Sequence, residues 1–242
     1  VQTCALPICT EARGGRNEVF GIDENVRFFG KVDWNSYLVG SQTPGKGGGQ
    51  FAWRSSVNYE SKIVHVRGAV MELGDGFEDD LGYYRRTGVR KYFLDFGFRP
   101  RPAWWQQHGT RELHPHVTWN YYENLTGTTI GKNLHNGQTW FFSDGGYTEV
   151  SLNVKYDFLK DSLRLNRGNP KAQRIAPGGY QWSEWQWIYV SDPSRPVSLN
   201  LTAATGGLWS GRQQSINSTL TFKPSYQDRK STRLNSSHSQ QS

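Results

Sequence analysis

Two histidines, His114 and His116, flank Pro115 in a stretch that otherwise alternates like a β-strand. Residues i and i+2 of a strand share a face, so the pair offers two imidazoles on one side, the beginning of a metal centre. A centre needs further ligands and outer bonds that hold the rings, and the sequence marks out neither. The pair therefore reads as polar residues on the water-facing side of a strand, and no metal site is assigned. Asp75, Glu78, Asp79 and Asp80 gather in one Gly-rich segment, but their spacing is not that of a calcium-binding loop, and they read as solvated. Gly45 to Gly49 (GKGGG) lacks the spacing and the following helix of a phosphate-binding loop. No G-x-S-x-G elbow occurs, and because glycoside hydrolysis depends on a separation of two carboxylates in space, which sequence does not supply, no pair is nominated. No catalytic residue and no cofactor is nominated.

Six cations carry the remaining chemical signal: Arg27, Lys31, Arg54, Arg67, Lys91 and Lys155. Each falls on the polar side of an alternating segment. If that side encloses water, they line a lumen and bias it toward anionic or hydroxyl-rich, carbohydrate-like solutes. In the competing arrangement they pair across strands with Asp33, Glu60, Asp95, Glu112 and Asp157 and simply fill the lumen.

The segments that must position these residues are strands. From Glu149 to Phe158 the alternation is unbroken: Val150, Leu152, Val154, Tyr156 and Phe158 are apolar, and Ser151, Asn153, Lys155 and Asp157 are polar. The same period of two gives strands over about 26–39, 51–60, 63–71, 91–99, 111–122, 128–142, 180–190, 197–203 and 216–222, ten in all with the first described. Gly- and Pro-rich stretches separate them, including 43–50, 74–88 and 159–179. Most connections have hairpin length, which predicts an antiparallel meander. Many segments reach ten residues. A soluble sandwich strand is shorter, about five or six residues, whereas a tilted membrane strand takes about 9–11. Trp34, Tyr37, Trp104, Trp105, Tyr121, Tyr122, Trp185, Trp187 and Tyr189 fall near segment ends, as an interfacial aromatic girdle would.

Composition agrees with this reading and removes others. The chain has 242 residues, 27 of them Gly, with 14% aromatics and a net charge of +7. Mean hydropathy is −0.72, and no run of apolar residues is long enough for a membrane helix. A barrel passes the same test, because only every second residue must be apolar. The positive charge is dispersed among aromatics and not gathered in runs, so nucleic acid is not an expected partner. Cys4 and Cys9 are the only cysteines, which leaves the body of the chain without a disulfide framework. Residues 1–10 and 227–242 lack the alternation and read as a non-native or disordered leader and tail, flanking one β domain over 11–226.

Four stretches in order extend the argument: Asn17–Phe29 (NEVFGIDENVRFF), Asp79–Gly88 (DDLGYYRRTG), Asp95–Arg101 (DFGFRPR) and Gly206–Pro224 (GGLWSGRQQSINSTLTFKP). Together they resemble the C-terminal barrel region of the domain-of-unknown-function 5916 family of bacterial outer-membrane proteins. The resemblance covers most of Asn17 to Tyr226. It implies location in the bacterial outer membrane, a lipid bilayer as partner, a carbohydrate-binding-like sandwich ahead of the barrel and further strands after it. It implies no reaction.

The expectation is thus an all-β, antiparallel up-and-down meander forming an incomplete transmembrane-type barrel, structural or transport-related and not an enzyme. The alternatives are a soluble, secreted or periplasmic carbohydrate-binding sandwich or barrel and, more remotely, a glycan-processing enzyme.

Overall fold

A computed structural model describes the backbone of residues 2–12, 15–45, 47–79, 86–165, 174–225 and 228–241, and side chains within 17–223 of these. The chain divides into two compact units, Val1–Phe96 with Trp119–Gly131, and Gly97–Thr118 with Lys132–Ser242. The first contains β1 (Gln2–Ala12), β2 (Gly15–Phe28), β3 (Val32–Gln42), β4 (Phe51–Glu60), β5 (Val64–Leu73) and most of β6 (Val89–Phe98). A short helix, α1 (Ala103–Gln106), follows, and then β7 (Thr110–Asn124), which has residues in both units. The second unit contains most of β8 (Thr129–Phe142), then β9 (Tyr147–Leu159), β10 (Leu163–Arg164), β11 (Arg174–Ile175), β12 (Gly178–Val190), β13 (Val197–Leu208), β14 (Gly211–Ser225) and β15 (Asp228–Gln241).

Strand order follows chain order within each unit, with β12 beside β9 and with β10–β11 forming a separate small ladder. The registered pairs are antiparallel. The all-β antiparallel meander is therefore present. The leader and tail, set apart by composition, also run as extended backbone, in β1 and β15. Among the described residues no helix is long and apolar enough to cross a membrane, a test that does not concern strands.

Local physics explains the ladder. The long strand expected over 26–39 is two strands, because Phe29 and Gly30 adopt positive φ of 51° and 67°. Lys31 N–H then donates to the Phe28 carbonyl at 3.1 Å. Two successive left-handed residues make the turn whose twist matches an antiparallel hairpin. This corrects the placement of Lys31, which stands exposed in the turn and not on a strand. Beyond it Arg27 faces Asp33 in register. Another turn is held by Asp192, whose Oδ1 accepts from Ser194 N–H at 2.8 Å and from Ser194 Oγ–H at 2.7 Å. Arg195 reaches back to Asp192 Oδ2 at 3.6 Å and to Asp144 Oδ2 at 3.3 Å, tying the β8–β9 turn to the β12–β13 turn.

The first unit has one small apolar cluster, Ala52, Leu73, Phe77 and Val89, with Val39, Met71 and Ile130 packed on it. The segment after β5 is fastened beside it by polar bonds. Asn17 Nδ2 donates to Thr43 Oγ1 (2.7 Å) and to the Glu78 carbonyl (3.1 Å), and Glu78 N–H donates to Ser41 Oγ. Asp75 Oδ1 accepts from Gly49 N–H at 2.7 Å. Asp75 thus clamps two loops together; Asp80 of the same acidic group lies outside the described residues.

Two outcomes follow. Gly30→Ala should destabilise by about 1–2 kcal/mol through left-handed strain alone, since no atom lies within 4 Å of the added Cβ. Urea unfolding in micelles checks this, and an unshifted midpoint contradicts the turn. The Ser194 bonds, together with Arg195, hold the Asp192 carboxyl below the usual carboxylate range. Its folded pKa is lower than its unfolded one, so its contribution is present above the unfolded value of about 3.9 and is lost as pH falls through the folded value. Asp192→Asn should therefore reduce the loss of stability below about pH 4; identical acid slopes for both proteins would refute this.

Candidate functional site

The polar face of the second unit is assembled from β7, β8, β9 and β12. On β9 it presents Glu149, Ser151, Asn153, Lys155 and Asp157. Register places Ile188 opposite Glu149, Glu184 opposite Asn153 and Trp182 opposite Lys155. These positions are well covered: Ser151 is 1% exposed, Asn153 6% and Glu184 8%. Buried polar groups require partners, and most of this set have them. Lys155 Nζ meets Glu184 Oε1 at 2.5 Å. Asp157 Oδ2 accepts from Trp209 Nε1–H at 3.5 Å, and Trp209 packs on Trp182 with ring centroids 5.8 Å apart.

Beside that pair lies a connected group from three strands. His116 (β7) and His135 (β8) bring their Nε2 atoms to 3.0 Å. His135 Nε2 is 3.5 Å from Glu149 Oε1 on β9. The far atoms are each engaged: His116 Nδ1 with the His114 carbonyl at 3.1 Å, His135 Nδ1 with Asn153 Oδ1 at 2.8 Å, and Glu149 Oε2 with the Thr139 hydroxyl at 2.9 Å. Glycine at 137 makes the meeting of the rings feasible. A Cβ there would stand 2.5 Å from His116 Cε1 and 2.8 Å from His135 Nε2. His114 stacks on His116 with centroids 4.7 Å apart, so the two sequence neighbours form a wall and one functional corner rather than a joint pair of ligands.

Of the six cations singled out from sequence, five belong to the first unit and Lys155 to the second. In the first unit, Arg27 pairs with Asp33 at 2.5 Å. Arg67 bonds Asn58 at 3.1 Å and lies 3.5 Å from Glu60 and 3.9 Å from Asp95. Lys91 Nζ sits over the rings of Phe93 (5.7 Å) and Tyr122 (5.3 Å), which places Tyr122 beside a cation on the polar side. Arg54 is exposed on β4, and Lys31 occupies its turn. In the second unit, Lys155 pairs with Glu184. Glu112 takes Arg101, at 2.5 Å. Of the acids expected to pair with the six cations, Asp33, Glu60 and Asp95 do so within the first unit.

Sequence reasoning reached His116 but not His135, Glu149, Asn153 or Thr139. The three clustered groups His116, His135 and Glu149 come one from each of three strands, and the sequence signal that could have joined them is the pairing register of consecutive hairpins. No family model, curated protein or solved structure matches the chain.

The Lys155–Glu184 pair yields a direct test. Lys155→Ala leaves a covered carboxylate without its cation and should cost about 2 kcal/mol. Replacing both partners, as Lys155→Met with Glu184→Leu, should restore part of that loss. A double-mutant cycle with no coupling would contradict the pairing.

Proposed function

We propose that this chain is part of a bacterial outer-membrane β-barrel of the domain-of-unknown-function 5916 family, structural or transport-related and not an enzyme. On this reading the apolar strand faces meet hydrocarbon and the polar faces meet water. One observation carries it: burial is inverted relative to a water-soluble fold. Phe20 is 58% exposed, Leu38 53%, Ile216 53% and Leu220 50%, while Thr139, Ser151, Asn153 and Glu184 are covered. The exposed apolar side chains recur strand after strand, on β2 (Phe20, Ile22, Phe28), β6 (Leu94, Phe96, Phe98), β9 (Val150, Phe158), β12 (Trp185, Trp187) and β14 (Ile216, Leu220, Phe222). A soluble monomer rarely leaves apolar patches beyond a few hundred Å² in water. Burying a single Phe or Leu side chain is worth about 1.5–3 kcal/mol, so repeated exposure calls for a nonaqueous surrounding.

Strand length supports the same reading. The principal strands run from 10 to 15 residues, enough to cross a hydrocarbon layer at a tilt. At one border of the apolar face, Arg90 joins Glu72 (2.6 Å) and Glu123 (3.1 Å), with Tyr92 on Glu123 and Tyr121 close by. Charges and tyrosines of this kind suit a headgroup region. The polar strand face presents an exposed Arg54, and the β2–β3 turn an exposed Lys31, as groups available to an anionic or hydroxyl-rich solute.

The purified protein should require detergent or lipid to remain monodisperse and should partition into vesicles. A monodisperse, detergent-free protein would replace this reading with the soluble carbohydrate-binding one. For the transport role, Arg54→Ala should lower anion preference in single-channel recordings; unchanged selectivity would leave a structural role alone.

A further inference from the structure

We propose that His116, His135 and Glu149 form a binding site for one divalent transition-metal ion of the zinc type. The three ligating atoms, one from each of β7, β8 and β9, lie within 4.8 Å of one another. Two imidazole nitrogens and a carboxylate oxygen are a donor set suited to zinc and its neighbours, and three protein ligands leave a further position for water or a solute.

The outer bonds argue for ligation as strongly as the ligands do. Metal-bound histidines engage their second nitrogen with an acceptor, which fixes the tautomer and ring. Here both Nδ1 atoms face oxygen acceptors, the His114 carbonyl and Asn153 Oδ1. Two neutral rings held this way turn the lone pairs of both Nε2 atoms toward each other at 3.0 Å. That contact is repulsive unless something positive stands between or beside the nitrogens. A proton can do this by making one ring an imidazolium. A metal ion can do it for both rings at once and can also engage Glu149 Oε1, 3.5 Å from His135 Nε2. Tetrahedral ligands at a zinc bond length of about 2.05 Å stand about 3.3 Å apart, so the two nitrogens need to separate by only a few tenths of an ångström. Thr139 holds the other carboxylate oxygen, leaving Oε1 for the ion, and the absence of a side chain at Gly137 leaves the approach clear.

All these residues belong to the second unit, and their donor geometry is the same whether the apolar face meets lipid or water.

The direct experiment is a Co²⁺ titration of the intact, chelator-treated chain in detergent micelles, followed by Zn²⁺ competition. One equivalent of Co²⁺ should bind with visible ligand-field bands typical of nitrogen–oxygen coordination, and Zn²⁺ should displace it. His135→Gln and Glu149→Gln should each weaken binding at least tenfold, Asn153→Ala about 10–100-fold, and His65→Gln should not alter it. The wild-type spectrum requires no variant, so misfolding of a mutant cannot hide the answer. A spectrum without bands at stoichiometric Co²⁺ would overturn the site and leave a proton-sharing histidine pair. Binding unaffected by both His135→Gln and Glu149→Gln would overturn it equally, by locating the ion elsewhere.

Discussion

Leu220 is half exposed to its surroundings beside a nearly covered Thr221, and on the outer-membrane reading proposed above such neighbours meet two different solvents. The alternation of faces along each strand is the constraint on which that reading depends. A strand sends alternate side chains to opposite faces, so the choice of face for one residue fixes it for all the others in register. Apolar side chains are exposed on β2, β6, β9, β12 and β14 alike. Among the described residues of the first unit, Ala52, Leu73, Phe77 and Val89 form a small buried apolar cluster.

Cohesion is then carried by backbone ladders and by polar groups on the covered face. Long antiparallel pairings satisfy main-chain donors and acceptors, which is indispensable where water is absent. The covered face meets the same requirement with side chains: Lys155 against Glu184, His65 against Asp95, and the His116–His135–Glu149 group braced by Asn153 and Thr139. Removing one member of such a set leaves a covered polar group without its partner, which costs more than the bond contributed net. Among the described residues, these sets combine fixed geometry, charge and cover from the surroundings.

Much of the fold was legible because period-two alternation survives in most strands, most clearly over Glu149–Phe158. The strand–turn boundaries were less so. Phe29 is a bulky residue in a left-handed conformation, an uncommon state, and its neighbours alternate smoothly enough that Val26–Val39 reads as one strand. Trp182 and Glu184 share a face, so the tryptophans of β12 divide: Trp182 stands on the polar side opposite Lys155, while Trp185 and Trp187 are exposed on the other. The site was less legible than the fold. His116 is visible beside His114, but its partners are 19 and 33 residues away, and a sequence does not state which residue of one strand stands opposite which of the next. The same limit kept Glu184 out of the acids expected to pair with the cations, whereas the ladder brings it to Lys155 from the neighbouring strand.

The central claim concerns what touches the apolar face, and nitroxide scanning of β9 tests it most directly. With Cys4 and Cys9 replaced by Ser, single labels are placed in turn at Val150, Ser151, Leu152, Asn153 and Val154 in vesicle-reconstituted protein. The account predicts that oxygen, concentrated in hydrocarbon, collides preferentially with labels at 150, 152 and 154, and that a water-soluble nickel complex does not reach them. Ready access of the nickel complex to those three positions would contradict it.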